Sequence, residues 1–431
     1  MKYCHRPYDY FYIDSSDGDI WLCQWMVHSQ GKIGNCITDS VDDCYNSEHA
    51  NYLRSTLEDG SFSLCRFEAC PFLQNNSLPD ISAEEYASRK KEKYRPVQVN
   101  MAFDFVCNQS CETCRKEVFK PPKDYGQKMK AIQNSIAPYL DTAKYISTSG
   151  HGDPFASKYM MDILSNMQPT NPDMQILIET NGVFFDEAHW ERIAHLSSVK
   201  LDVVVTINSF DPHTYKLISR DGDFERVMEN LNFMSKLRKE NKITVLSNSF
   251  VIQDRNFREI PFFIQRSFQG YAFDYVVLKP VYQWGTMDDD VYWFKDVLNP
   301  SHPYHQEYLE IISDPIVQDK RVYNFAGDTV HERCPYPSGT DTSQIADLQS
   351  RLHTKELRIC ELEACVNSLS GAEANALVQQ DERITALRNK IDTQLAEAEQ
   401  KLEDIYNSTT WKAGRAITFI PRLFRNSGGR R

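Results

Sequence analysis

Between about residues 97 and 285, short apolar strands alternate with helical stripes, and that alternation limits the folds open to this chain more than any other feature. Predicted strands cover 99–105, 145–148, 174–179, 201–207, 243–251 and 275–279. Between two of them, Phe224, Val227, Leu231, Met234 and Leu237 recur at spacings of three and four and lay one apolar stripe along a helix. Strands and helices in strict alternation imply parallel strands joined by right-handed crossovers. Six such units are fewer than the eight that close a barrel.

A polar or glycine-rich turn follows each strand. Cys107 follows the first, and Ser149-Gly150-His151-Gly152-Asp153-Pro154 the second. Thr180-Asn181-Gly182 and Asn208-Ser209 follow the next two, then Gln253-Asp254 and Tyr282-Gln283-Trp284. Parallel strands in such folds gather ligand-binding groups at their C-terminal ends, so these turns are expected to form one site. Lys279, Tyr282 and Trp284 are candidates on that rim.

Cys107, Cys111 and Cys114 stand in C-x3-C-x2-C spacing. Three thiolates can hold three irons of a four-iron cluster and leave the fourth open, where a fully ligated cluster takes four. A zinc knuckle and a ferredoxin-type knot are the alternatives for the same spacing. The spacing resembles that of the radical S-adenosylmethionine (radical SAM) enzymes. The resemblance implies a partial (β/α)6 barrel over residues 97–335. It also implies a [4Fe–4S] cluster whose open iron holds the amino and carboxylate groups of SAM, and an electron that splits SAM to give a 5′-deoxyadenosyl radical. The turn Ser149–Pro154 resembles the family's Gly-Gly-Glu-Pro, so Ser149, Gly150, Gly152 and Asp153 are expected around the SAM amino group, Asp153 as acceptor with a shorter reach than Glu. Thr206 and Asn208 replace the serine and aspartate of the family's strand-four turn; with Thr180 and Asn181 they complete the expected SAM-binding set. The segment Thr214-Tyr215-(x)2-Ile218-x-Arg220 resembles the helix start that follows that turn, and Asp211 before Pro212 reads equally well as a helix N-cap. Thr113 stands where the family often has an aromatic residue. His151 reads as a surface turn residue rather than an iron ligand.

Residues 1–80 differ in character, rich in Cys and aromatics, with a predicted hairpin of 8–13 and 19–25 around Asp14–Gly18. Cys4, Gly18-(x)4-Cys23 and Gly60-(x)4-Cys65-(x)4-Cys70 resemble the SPASM auxiliary-cluster module, here in front of the barrel and with cysteines for one second [4Fe–4S] cluster. Zinc is the alternative for the same four thiolates. Cys36 and Cys44 read as small core residues. Residues 81–96, with the charged run 88–96, read as a solvated linker.

Residues 341–406 carry an a/d heptad pattern, Ile345, Leu348, Leu352, Ile359, Leu362, Val366 and Leu369, then a break at Gly371 and a second run to Ile405. This predicts a coiled coil, either between two copies or partners or folded back as a hairpin. Cys334 reads as a thiol at the barrel's end, and Cys360 and Cys365 as packing residues. The tail 407–431 holds six Lys and Arg and no acid, interleaved with Trp411, Phe419 and Phe424. It reads as a peripheral contact to an anionic membrane face or as a frayed end.

A net charge of −12 argues against broad nucleic-acid binding. No apolar run reaches 18 residues and the N-terminus lacks a signal-peptide core, so a cytoplasmic protein is expected, and twelve cysteines there read as ligands or filler rather than disulfides. The expected activity is reductive cleavage of SAM and abstraction of a hydrogen atom from a substrate C–H, with flavodoxin or ferredoxin as electron donor. The tail Ser408-Thr409-Thr410-Trp411 with Pro421-Arg422-Leu423 resembles that of bacterial surface-polysaccharide glycosyltransferases, which points to oxidation or epimerisation of a cell-surface sugar. A peptide maturase and a non-catalytic iron–sulfur scaffold are the alternatives.

Overall fold

The computed structural model of the chain describes residues 1–325 apart from 27, 68, 69, 149 and 284. The predicted coiled coil, basic tail and Cys334 lie outside the described residues. Residues 1–296 and 309–325 belong to one compact unit, and 297–308 to a second; the sheet and sites below lie in the first.

Ten strands form one mixed α/β sheet: β1 Tyr10–Ile13, β2 Asp19–Trp21, β3 Lys32–Asn35, β4 Gln98–Met101, β5 Tyr145–Thr148, β6 Gln175–Thr180, β7 Lys200–Thr206, β8 Val245–Ile252, β9 Tyr275–Pro280 and β10 Val322–Asn324. Their order is β10-β9-β8-β7-β6-β5-β4-β1-β2-β3. From β4 to β10 each strand lies parallel to its predecessor in sequence. The six predicted strands correspond to β4–β9. The first was expected to run through Phe105 but stops at Met101. Asp104 accepts from Val106 N (3.0 Å) and Tyr125 Oη (2.7 Å) and bonds Ser157 Oγ, which turns the chain out of the sheet.

β1 pairs with β4 in parallel, Tyr10 opposite Gln98 and Ile13 opposite Met101, so the N-terminal hairpin continues the main sheet. The hairpin turn closes at Gly18, whose φ is +85° and where a Cβ would stand 2.7 Å from Ile37. Within the stretch read as linker, Ser82 caps a helix Ala83–Arg89 that buries Tyr86. Cys36 and Cys44 are buried.

Burial alternates along β6, β7 and β9. Ile176, Ile178, Leu201, Val203, Val205, Val276 and Leu278 are wholly buried on one face, each contributing about 1.5–3 kcal/mol. Helices cover that face: Val227 and Met234 of Phe224–Lys239 flank Val205 at Gly182, and Phe263 of Ile260–Gly270 packs on Phe250 at 4.6 Å. The opposite face is half-buried and mixed, with Gln175, Glu179, Asp202, Thr206 and Lys279 interleaved with Leu177, Val204 and Val277. Glu179 on β6 and Lys279 on β9 pair at 3.8 Å, although two strands separate them, a span of about 14 Å across a flat sheet. Side chains stand roughly perpendicular to a sheet, so the contact requires this face to be concave.

Candidate functional site

The cysteine loop leaves β4 and is pinned from beneath by the segment after the helix Pro212–Ile218. Ser110 N donates to Arg220 O (3.0 Å) and Glu112 N to Ile218 O (2.9 Å). Arg220 returns Nε to Ser110 O and Nη2 to Arg115 O, both at 2.8 Å. Gln109 Nε2 reaches Tyr215 Oη at 2.9 Å, and Ser110 Oγ reaches Asp221. Gly222 is required there, because a Cβ would lie 2.6 Å from Tyr215 Oη and 2.7 Å from Gln109 Nε2. The Thr-Tyr-(x)2-Ile-x-Arg segment therefore clamps the cysteine loop, a role its spacing alone did not announce. From above, Lys295 is 5% exposed and pairs with Glu112 (2.8 Å) and Asp254 (3.0 Å), while Arg255 pairs with Glu112 at 3.2 Å.

Cys107, Cys111 and Cys114 are half-buried and interact with one another. Burial and the Asp153 charge push the Cys107 thiol up to about 11; burial and the two neighbouring thiols push Cys111 up to about 12. Both hold their protons at neutral pH until a metal displaces them. Donors surround the sulfurs: Asn181 Nδ2 is 3.7 Å from Cys107 Sγ, and Arg115 Nη2 is 3.8 Å from Cys114 Sγ. Such contacts suit the negative charge of thiolates on a cluster.

The turn after β5 lies hard against this loop. Asp153 N donates to Val106 O (2.8 Å), and a Cβ on Gly152 would stand 2.4 Å from Asp104 O and 2.6 Å from Val106 O. At Gly150, whose φ is +129°, a Cβ would stand 2.5 Å from that of Ala102. Ser149 lies outside the described residues. Asp153 is held inside the turn. It is 2% exposed; Oδ1 accepts from Phe155 N (3.0 Å) and Ala156 N (3.2 Å), and Oδ2 from Thr180 Oγ1 (2.8 Å) and Asn181 N (2.7 Å). Burial pushes its pKa above the ordinary carboxylate value against these four donors. These four hydrogen bonds tie the β5 turn to the β6 end. Thr180 is committed to the same tie, while Asn181 also donates to Asn108 Oδ1 at 2.9 Å beside Cys107.

Thr206 ends β7, half-buried and opposite Ser249. Asn208, at φ +61°, accepts at Oδ1 from Val251 N (2.8 Å), which holds the β7 turn to β8. His151 stacks on Phe105 (centroids 4.4 Å apart) and bonds Asp14 at 2.9 Å through Nε2. Tyr282 is half-buried; Trp284 lies outside the described residues.

The four other predicted ligands meet in a second place. Cys4, Cys23, Cys65 and Cys70 line one small cavity, partly open to solvent, together with Arg6, Leu57, Phe62 and Phe72. Burial and the neighbouring thiols push Cys4 and Cys65 up to about 12, and burial raises Cys23. Four convergent thiols fit a cluster's full ligand set. Among the described residues, no three His, Cys, Asp or Glu side chains gather closely enough for one metal ion.

Residues 104–266 match the family model of the Radical SAM superfamily, and residues 4–71 match that of SPASM, an iron-sulfur cluster-binding domain. The chain carries a radical SAM domain preceded by a SPASM-type iron–sulfur domain. The first implies a [4Fe–4S] cluster and SAM, the second auxiliary iron–sulfur clusters. Relatives include a GTP 3′,8-cyclase of Actinobacillus pleuropneumoniae serotype 3, 21% identical over 140 residues, or 32% of this chain and 40% of that protein. Uncharacterized protein MJ0804 of Methanocaldococcus jannaschii is 24% identical over 135 residues, 30% of this chain and 41% of its own. The chain thus spans about two-fifths of the length of these curated relatives. Similar solved structures are a tagged anSMEcpe with bound AdoMet (16% identity, 51% of this chain and 61% of that one, TM-score 0.35) and methylornithine synthase, PylB (12%, 63% and 85%, TM-score 0.31). No helix among the described residues is long and apolar enough to cross a membrane.

Proposed function

We propose that the protein reductively cleaves SAM and abstracts a hydrogen atom from a polyhydroxylated substrate held on the concave face of the sheet, a sugar of cell-surface polysaccharide being the reading the chain supports best. The observation that carries the first half is the clamped loop of Cys107, Cys111 and Cys114 against the Gly150–Asp153 turn. When loaded, its cluster supplies the electron that splits SAM and hence the hydrogen-abstracting radical. This chain's residues do the rest. Arg220, Tyr215 and Gly222 fix the cysteine loop. Asp153 and Thr180 hold the glycine turn close, so that backbone rather than a carboxylate faces the SAM amino group. Asn181 and Arg115 lend hydrogen bonds beside the sulfurs, and Thr206 stands at the same rim. Cys4, Cys23, Cys65 and Cys70 hold the auxiliary cluster. The sequential parallel order β4–β9 and the Glu179–Lys279 contact support the partial (β/α)6 barrel.

The sugar reading rests on the tail resemblance and on Glu179, Thr206 and Lys279 toward the C-terminal ends of β6, β7 and β9, which offer donors and acceptors to hydroxyls. Flavodoxin or ferredoxin would supply electrons, and residues 341–406 would dock the enzyme to its assembly machinery from the cytoplasmic side.

The test is anaerobic reconstitution with iron and sulfide, then SAM and dithionite. About eight irons in the wild type, about four in Cys107→Ala/Cys111→Ala/Cys114→Ala, and 5′-deoxyadenosine from the wild type alone are expected. Zinc in both sites with no SAM cleavage would leave only a scaffold. Deleting residues 341–431 is expected to spare SAM cleavage in vitro and to alter surface polysaccharide in cells; unchanged polysaccharide would count against docking, and a modified peptide would favour a maturase.

A further inference from the structure

Arg6 is a feature of the four-cysteine cavity that ligation does not require. It follows Cys4 by two residues and lines the cavity with all four cysteines, in a wall otherwise built largely from Leu57, Phe62, Phe72 and other apolar side chains. Its guanidinium lies 4.7 Å from the Tyr10 ring centroid and 5.6 Å from that of Phe72. Nη1 donates to Gln24 Oε1 at 3.3 Å. The same oxygen accepts from Tyr10 Oη and, at 3.4 Å, from Asn100 Nδ2, and Asn100 also donates to Tyr10 Oη at 3.0 Å. Arg6 makes no ion pair with a carboxylate among the described residues. Arg6 lies close enough to Cys23 and Cys4 for charge on those sulfurs to bear on it.

A guanidinium lining the same largely apolar cavity as four cysteines, and without a carboxylate, has one electrostatic consequence once those cysteines hold a cluster. A four-thiolate cluster is negatively charged and gains one more negative charge on reduction. A fixed positive charge at its edge favours the reduced form, more so where water is scarce. Gln24 and Tyr10 fix the guanidinium, and Asn100 ties that group to β4, the strand that leads into Cys107.

We propose that Arg6, positioned by Gln24, Tyr10 and Asn100, raises the reduction potential of the N-terminal cluster. The inference rests on the reading that Cys4, Cys23, Cys65 and Cys70 hold a cluster.

The experiment uses the full chain carrying Cys107→Ala/Cys111→Ala/Cys114→Ala, so that only the N-terminal centre is seen. It is reconstituted with iron and sulfide and titrated with dithionite against redox mediators, with EPR reporting the reduced cluster. Arg6→Gln is expected to cut the ratio of reduced to oxidised cluster about tenfold at fixed potential, a midpoint about 59 mV lower for one electron. Arg6→Lys, which keeps the charge, is expected to fall less. Gln24→Glu leaves Arg6 in place but sets a carboxylate against it, and is expected to lower the ratio as Arg6→Gln does; it decides the matter should Arg6→Gln fail to load iron. Loaded Arg6→Gln or Gln24→Glu with the parent's midpoint overturns the proposal. A parent that binds no iron refutes the ligand reading itself, which the iron count shows before any potential is measured.

Discussion

Asp153→Asn separates the two roles open to the residue that follows the glycine turn. If the carboxylate received the SAM amino group, the amide would weaken SAM binding and leave the fold intact. The structure gives the opposite weighting. Oδ1 receives two backbone N–H groups and Oδ2 receives Asn181 N and Thr180 Oγ1, on a carboxylate that is itself buried. An amide keeps one oxygen as acceptor and turns an NH2 toward the other pair of donors. The Thr180 hydroxyl can rotate to accept; a backbone N–H cannot. One buried N–H left unpaired costs about 1–3 kcal/mol. Asp153→Asn is therefore expected to lose that much stability in urea unfolding of the iron-free chain. Asp153→Glu, which restores the residue common in the family, adds a methylene to a 2%-exposed site and is expected to cost about 1–3 kcal/mol through overpacking. Equilibrium dialysis of SAM against the reconstituted proteins completes the comparison. Wild-type stability in Asp153→Asn together with SAM affinity weakened tenfold or more, about 1.4 kcal/mol, would refute the tie and restore the ammonium role.

Three further outcomes follow from the same geometry. Glu259, bonded to Ser209 behind the β7 turn, is raised by burial from 4.5 to about 7; the folded state then binds the proton more tightly, so its contribution is present below pH 4.5 and is lost as pH rises through 7. Between pH 5.5 and 8 the wild type should lose about 2 kcal/mol more than Glu259→Gln in urea titrations, and parallel curves would contradict this. Arg220→Ala removes the hydrogen bonds to Ser110 O and Arg115 O, so reconstitution should fall toward about four irons while the N-terminal centre still loads; a full complement would show that the clamp is dispensable. Gly152→Ala drives a Cβ against two backbone carbonyls at 2.4 and 2.6 Å and is expected to lower stability by about 1–3 kcal/mol or more, with soluble, fully stable protein as the contrary result.

Local patterns carried much of the architecture. Strands β5 to β9 begin and end within two residues of the period-2 and apolar-run expectations, because each is buried on one face and bounded by a polar turn. Cys4, Cys23, Cys65 and Cys70 could be grouped by their resemblance to the SPASM module, and the structure brings them to one cavity. What stayed hidden depends on contacts distant in sequence. The parallel pairing of β1 with β4 has no local signature. Asp153 reads as a ligand until its four donors are seen, and Arg220 reads as a helix-start residue until its two carbonyl partners are seen. Arg6 was legible as an arginine two residues after a cysteine, but nothing in the string shows that Gln24 and Asn100 meet beside it. Lys295 sits 183 residues from its partner Glu112, beyond any window of periodicity.

The β1–β4 pairing also sets a timetable for biosynthesis. Roughly 90 residues separate Tyr10 from its partner Gln98, so at ~5–20 residues per second the first strand waits on the order of 5–20 s for β4 to emerge. Until then one edge of the hairpin offers unpaired N–H and C=O groups, a template for pairing with other chains. Cys4 is already out, and Cys23, Cys65 and Cys70 leave the ribosome during that interval. Metal capture there competes with intermolecular β-pairing and thiol oxidation, so iron starvation should show first as aggregation of nascent chains, before any shortfall in the mature protein.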